Sequence, residues 1–239
     1  KTYEVELEMV KFSKSDAAAR SGSSIVMTLL KILQDSKYVS TNTYINMLLE
    51  GYQKTLKIPR FSFVGPIPFT LTHDVVNKGL LSCGYSVTDK ADGERQLLYI
   101  HSDGGQCLIG RNKQVMFCGS SAIPRGTILD GELVNDVYYV FDCIVFGGKN
   151  YANDSLDVRL EKAREAVQAS KSTVHSNGRM SSIPSEVLAS PGTLVLKMKK
   201  FYYNISKDPS KIWSKKRDYP YSLDGLIFTP INKPYMNDG

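Results

Sequence analysis

The sequence predicts an α+β fold in which antiparallel sheets follow a helical N-terminal extension. Three observations predict it. Residues 15–57 repeat apolar side chains at helical spacing: Ile25, Leu29, Leu30 and Leu33 first, then Tyr44, Met47 and Leu48. Residues 58–150 switch to short runs rich in Val, Ile, Tyr and Phe, cut by Gly, Asp and Asn. Residues 155–168 return to a helical face of Leu156, Leu160, Ala163 and Val167 before two final apolar runs.

Taken in order, residues 1–12 alternate charge and apolarity and read as a strand. The two helices of 15–57 are expected to end or weaken at Gly22 and Gly51. Pro59, Pro66 and Pro68 make an extended entry. Strands are then expected at 85–89, 96–100, 106–109, 115–117, 127–129 and 137–146. Ser102-Asp103-Gly104-Gly105 reads as a hairpin tip, and Arg111-Asn112-Lys113-Gln114 as another. Residues 169–192, rich in Ser, read as a surface loop. Two last strands are expected at 193–201 and 223–229, split by a Lys-rich stretch around Trp213.

The chain has 239 residues, 42% of them hydrophobic, enough to bury a core. No run of about 18 apolar residues is present, so no transmembrane helix is expected. The net charge of +6 tilts toward an anionic partner, a nucleotide or RNA. None of Cys83, Cys107, Cys118 and Cys143 forms a C-x-x-C pair, which argues against a zinc site. Reduced thiols in an intracellular compartment fit best. His73, His101 and His175 are scattered and suggest no histidine triad.

The strongest chemical signal is Lys90-Ala91-Asp92-Gly93-Glu94-Arg95, placed between two expected strands. A lysine at a strand end, near a glycine that permits close backbone approach, can meet a ligand. It attacks only as the free amine, which desolvation or a neighbouring cation such as Arg95 or a metal favours. A plain Asp-Gly surface turn is the structural alternative.

This hexapeptide resembles the first motif, K-x-D-G-x-R, of the covalent nucleotidyltransferases, namely the mRNA capping guanylyltransferases and the DNA and RNA ligases. Later motifs of that superfamily have counterparts in order. Leu129-Asp130-Gly131-Glu132-Leu133 is similar to the third, and Tyr138-Tyr139-Val140-Phe141-Asp142-Cys143 to the aromatic-Asp motif after it. Leu196-Lys197-Met198-Lys199-Lys200-Phe201 is similar to the lysine-bearing strand before the fourth, and Leu223-Asp224-Gly225-Leu226-Ile227-Phe228 to the fourth itself. Asp before Gly in that last motif, where ligases usually carry Glu, and the Gly65-Pro66-Ile67-Pro68 entry look like capping enzymes. The pattern most resembles those of large cytoplasmic DNA viruses, the African swine fever virus type.

The resemblance implies a nucleotidyltransferase fold and a lysyl-GMP intermediate on Lys90, passed on to a 5′-diphosphate RNA end. It implies that Asp89 belongs to the nucleotide site, that Arg95 and Arg111 hold ribose or phosphate, and that Glu132 accepts from ribose hydroxyls. Phe141 and Ile227 would flank guanine, as an aromatic face and a branched aliphatic suit a flat base. Lys197 and Lys199, two apart on a strand, would share one face and meet phosphate and guanine O6. Asp224 would face a metal, Mg²⁺ or Mn²⁺. Each residue has a bland alternative: Glu132 and Asp224 as turn residues, Phe141 as core, the two lysines as a solvated face.

The resemblance also implies a domain layout: 58–239 as the guanylyltransferase unit, 13–57 as the extension, and 1–12 as a remnant of a preceding RNA triphosphatase. In the last of these, Glu4, Glu6 and Glu8 would line one strand face roughly 6.6 Å apart. A fifth motif, K-x-K near a Trp or Pro, and a C-terminal OB domain are expected by the resemblance and have no counterpart in the sequence. Implied partners are GTP, 5′-diphosphate RNA and further domains of a capping polypeptide (triphosphatase, OB domain, methyltransferase), with no membrane. The implied setting is the cytoplasm, viral factory or virion. The rival readings are an ATP-dependent RNA or DNA ligase, which shares the covalent chemistry, and a non-catalytic RNA-binding scaffold.

Overall fold

The computed structural model describes residues 16–33, 39–74, 84–172, 194–203, 210–214 and 218–235. The expected strand at 1–12, Cys83, His175 and most of the Ser-rich stretch lie outside these residues. Helices α1 (Asp16–Leu33) and α2 (Asn42–Leu56) come first. Six consecutive strands follow: β1 (Tyr85–Ala91), β2 (Glu94–Ile100), β3 (Gly105–Ile109), β4 (Val115–Ser120), β5 (Thr127–Val134) and β6 (Val137–Phe146). A short β7 (Lys149–Asn150), helix α3 (Leu156–Ser172), β8 (Val195–Met198), a one-turn α4 (Ser210–Trp213) and β9 (Leu223–Pro230) complete the order.

The main sheet has seven strands in the order β4-β3-β2-β5-β6-β7, with β8 joining beside β6. All its hairpin neighbours pair antiparallel, as expected, but β8 runs parallel to β6, with Tyr139 opposite Lys197. That parallel pairing is a correction to the all-antiparallel expectation. It is reached through the long crossover that contains α3, the connection a parallel pair requires. Strands β1 and β9 form a separate antiparallel pair. A backbone bridge between Val87 and Tyr202, with both N–H···O distances at 2.8 Å, ties this pair to the chain leaving β8.

The main sheet has two apolar cores, one on each face. Leu98, Ile100, Leu129, Tyr138, Val140 and Cys143 pack against Ala163, Ala166 and Val167 of α3. Leu97, Tyr99, Cys107, Ile109 and Phe117 pack against Tyr44, Leu48, Leu49 and Tyr52 of α2. The α2 residues fall at i, i+4, i+5 and i+8, so one helix face covers the sheet. Thr41 caps its start by accepting from the Tyr44 N–H at 3.2 Å. Lys57, in the left-handed region with φ 58°, ends it. Thus α2 is part of the body that carries the site.

Of the two expectations for Gly51 and Gly22, helix ends or weak points, the ends do not occur: both lie inside their helices. For Gly51 the reason is close approach: a Cβ there would lie 2.5 Å from His101 Cδ2 and 2.7 Å from the Tyr99 hydroxyl. Contact with β2 outweighs the roughly 1 kcal/mol by which Gly weakens a helix. Cys107, Cys118 and Cys143 are buried, and none of the three is in a disulfide. Among the described residues, no helix is long and apolar enough to cross a membrane.

Candidate active site

Strands β1 and β9 bring the first and fourth motifs together. Lys90 pairs with Gly225, Asp89 with Leu226 and Thr88 with Ile227. The register shifts between Lys90 and Ala91, and the Lys90 ammonium meets the Asp224 carboxylate directly. Gly225 has φ 151°, a backbone state that side chains rarely adopt, so this strand needs glycine beside the lysine. The lysine–carboxylate contact is open to solvent, with Lys90 39% and Asp224 59% exposed.

A second set of charges lies on the main sheet. Glu132, on β5 opposite Arg95, accepts from the Lys199 ammonium at 2.8 Å through Oε2 and from the Gly93 N–H at 3.3 Å through Oε1. Lys199 also donates to the Asp89 carbonyl at 3.2 Å and lies 3.6 Å from the Asp89 carboxylate. Its side chain is 1% exposed. Asp89 is itself buried and accepts from the Tyr221 hydroxyl at 2.8 Å. Its other carboxylate oxygen has no hydrogen-bond partner within the protein. The Tyr221 ring meets Tyr139 edge-on at 4.6 Å, and burial, followed by the bond to Asp89, pushes its ionisation up.

Phe141 is half-buried on β6, and the Lys199 ammonium and the Arg95 guanidinium each lie 5.6 Å from its ring centroid. Arg95 is engaged inward. Its Nε and Nη2 donate to Asp130 at 3.1 and 2.6 Å, and its Nη1 donates to the Pro66 carbonyl at 2.7 Å. Arg111 is exposed on the β3–β4 turn, with its guanidinium 5.5 Å from the Phe63 ring centroid. A cleft of about 340 Å³ joins the two arginines, lined by Gly93, Arg95, Gly110, Arg111 and Asn112 among others.

The structure therefore gathers Asp89, Lys90, Glu132, Phe141, Lys199 and Asp224 into a connected set around β1, β5, β6 and β9. Arg95 and Arg111 flank the set from the turn side. Ile227 sits half-buried on β9, opposite Thr88. The two strand lysines differ in their surroundings. Lys197 is in solvent, whereas Lys199 is buried. The physical reason is that β8 ends at Met198, and the chain beyond it is covered by β1, where Thr88 Oγ1 donates to the Lys200 carbonyl at 2.8 Å. Asp224 stands as a single carboxylate: among the described residues no group of three or more His, Cys, Asp or Glu gathers as a metal cage.

The profile of the mRNA capping enzyme catalytic domain matches residues 31–239. The chain belongs to that family. Relatives include the mRNA-capping enzyme subunit alpha of Saccharomyces cerevisiae, 25% identical over 76% of this chain and 44% of that protein. The probable mRNA-capping enzyme of Acanthamoeba polyphaga mimivirus is 26% identical over 99% of this chain and 24% of its own length. The mRNA-capping enzyme of African swine fever virus (Badajoz 1971) is 27% identical over 64% of this chain and 16% of its own. The chain thus spans less than half of each of these relatives. A solved structure of mycobacterial DNA ligase D complexed with ATP and MES gives a TM-score of 0.41 at 12% identity, over 65% of this chain and 51% of that one.

In this capping-enzyme catalytic domain, sequence reasoning passed over Asp130, Tyr221, Tyr235 and Phe63. Asp130 carried a signal: it lies two residues before Glu132 on a strand, hence on the same face. The aromatics carried none, because their partners are distant in sequence.

Proposed function

We propose that the chain is a GTP:RNA guanylyltransferase domain with Lys90 as its nucleophile. The observation that carries this reading is the meeting of Lys90 and Asp224 at the end of the β1–β9 pair, next to the Glu132–Lys199–Phe141 set. In the first step the Lys90 Nζ, as free amine, attacks the α-phosphorus of GTP. A P–N bond forms, the bridging P–O bond to the β-phosphate breaks, pyrophosphate leaves, and the amine proton passes to solvent, which reaches the lysine. In the second step a β-phosphate oxygen of a 5′-diphosphate RNA attacks the same phosphorus. The P–N bond breaks, and Nζ takes back a proton.

The other residues hold the nucleotide. In this reading Glu132 accepts from ribose hydroxyls, with Lys199 keeping its carboxylate oriented. Phe141 offers a ring face to the base, and Arg111 offers a planar donor fork to phosphate from an exposed turn. The donor set suits Mg²⁺ or Mn²⁺ in one respect: such ions bind through one or two carboxylates while substrate phosphates and water fill the remaining positions, which matches the lone exposed Asp224. An ion held there would supply charge neutralisation at the α-phosphate.

The test is incubation with α-labelled GTP beside α-labelled ATP. An alkali-stable, acid-labile adduct formed from GTP and lost in Lys90→Arg is the expected result, because Arg keeps the charge but stays protonated. Labelling of Lys90→Arg sinks the assignment of the nucleophile, and equal labelling by ATP moves the chain to ligase chemistry.

A further inference from the structure

The segment after β9 turns back beneath the site. Ile231 donates its N–H to the Gly84 carbonyl at 3.1 Å and accepts from the Leu156 N–H at 2.9 Å. The Lys233 carbonyl accepts from Arg159 Nη1 at 3.1 Å, and the Tyr235 N–H donates to the Ala152 carbonyl at 2.7 Å. These bonds strap residues 231–235 to the start of β1 and the start of α3, and they bury Tyr235 to 4% exposure.

The Tyr235 hydroxyl ends at a charged pair. It donates to Asp130 Oδ2 at 2.6 Å and lies 3.5 Å from Arg95 Nη2. Asp130 is fully buried and takes Arg95 on both oxygens. On the next strand, Asp142 pairs in register with Asp130 and is held by Arg159 at 2.7 and 3.0 Å. The Arg159 guanidinium lies 5.7 Å from the Tyr235 ring centroid. Tyr235 therefore sits between two buried arginine–aspartate pairs and donates its hydroxyl to the one nearer the site. Burial, then the charge of Asp130, pushes the ionisation of this phenol well above its usual range, so the hydroxyl remains a donor at neutral pH.

We infer that Tyr235 is a positioning residue for nucleotide binding: its hydroxyl fixes Asp130, Asp130 fixes Arg95, and Arg95 sets the ring of Phe141 that takes the base. This rests on the reading of Phe141 as one wall of the guanine site. A buried carboxylate takes one arginine geometry only when its remaining lone pairs are satisfied. The donor that does this comes from a segment 105 positions away in sequence.

The test is a double-mutant cycle on GTP affinity and on the rate of adduct formation. Tyr235→Phe keeps the ring beside Arg159 and the backbone bond to Ala152, and deletes only the donor. Its GTP dissociation constant is expected to rise about fivefold, with the maximal rate of adduct formation changed less than about twofold. In a Phe141→Leu background the same substitution is expected to cost less than about twofold in affinity. Unchanged affinity, or equal losses in the two backgrounds, overturns the positioning role. Should Tyr235→Phe not fold, Asp130→Asn breaks the chain at its next link, and unchanged GTP affinity there overturns the role equally. Normal wild-type labelling with no effect of these variants overturns this inference alone. A wild type that neither binds nor is labelled by GTP overturns the guanylyltransferase reading and this inference with it.

Discussion

Two lysines of this domain face carboxylates, in opposite surroundings. Lys90 meets Asp224 in a contact with both side chains open to water, whereas Lys199 meets Glu132 and Asp89 with its own side chain 1% exposed. A solvated pair is worth about 0–1 kcal/mol and exchanges readily, so Lys90 can exchange its carboxylate partner when a phosphate arrives. A buried pair is costly to break from one side, about 3–5 kcal/mol, because the remaining charge is stranded. Lys199 thus holds its partners in place, and Lys90 keeps a solvent-exposed ammonium. On the proposed function, the difference separates the nucleophile from the group that shapes its pocket.

The largest effect that would sharpen this comparison is chemical. Lys90→Arg is expected to reduce GMP adduct to background while changing unfolding free energy by no more than about 1 kcal/mol, as an exposed pair should. Gel autoradiography and urea denaturation read the two quantities, and a large stability loss would place Lys90 in the structural class. Lys199→Met is expected to do the reverse in stability, costing about 3 kcal/mol by the same denaturation, since Asp89 and Glu132 lose their shared cation. A loss as small as that of Lys90→Arg would break the distinction.

Base choice comes next in size. If the Lys199 ammonium reaches the base edge beside Phe141, GTP is expected to outcompete ATP at least tenfold, about 1.4 kcal/mol, because guanine O6 accepts where adenine N6 donates. Competition labelling measures it, and parity would leave Lys199 with a structural role only. The smallest effect is in alkali. Burial pushes the Tyr99 phenol up to about 12, with its bond to Thr55 working the other way. A group whose folded value is raised contributes stability that is complete below its unfolded value near 10 and lost as pH rises toward 12. Thermal melts between pH 8 and 11.5 are therefore expected to stay level to about pH 10 and then fall. A Tm that holds level through pH 11.5 would exclude it.

The helical and strand periods in the sequence located α2, α3 and the strands β1–β6 within a few residues, the far end of β5 apart, because one-sided burial imposes those periods. The parallel placement of β8 was not legible, since periodicity records which face is buried and not which neighbour pairs. Gly51 illustrates the same limit. Its local signal is a weak helix, and its actual use is contact with Tyr99 and His101, about fifty positions away. Arg95 was legible as a motif residue, yet its commitment to Asp130 and Pro66 follows only from strands brought side by side.

By itself the sequence determined the chemistry on offer: a lysine at a strand end, a carboxylate before a glycine that the backbone requires, an aromatic–Asp strand, and their order along the chain. Their order and residue types carried the family, because those are properties of the linear text. Tertiary structure alone decided which charges are exposed and which are buried and fixed. Lys197 and Lys199 look equivalent in sequence, and Lys90 and Lys199 carry the same side chain. What separates them is solvent access and the carboxylates supplied by other strands, and desolvation is a property of the packed fold that no local pattern encodes.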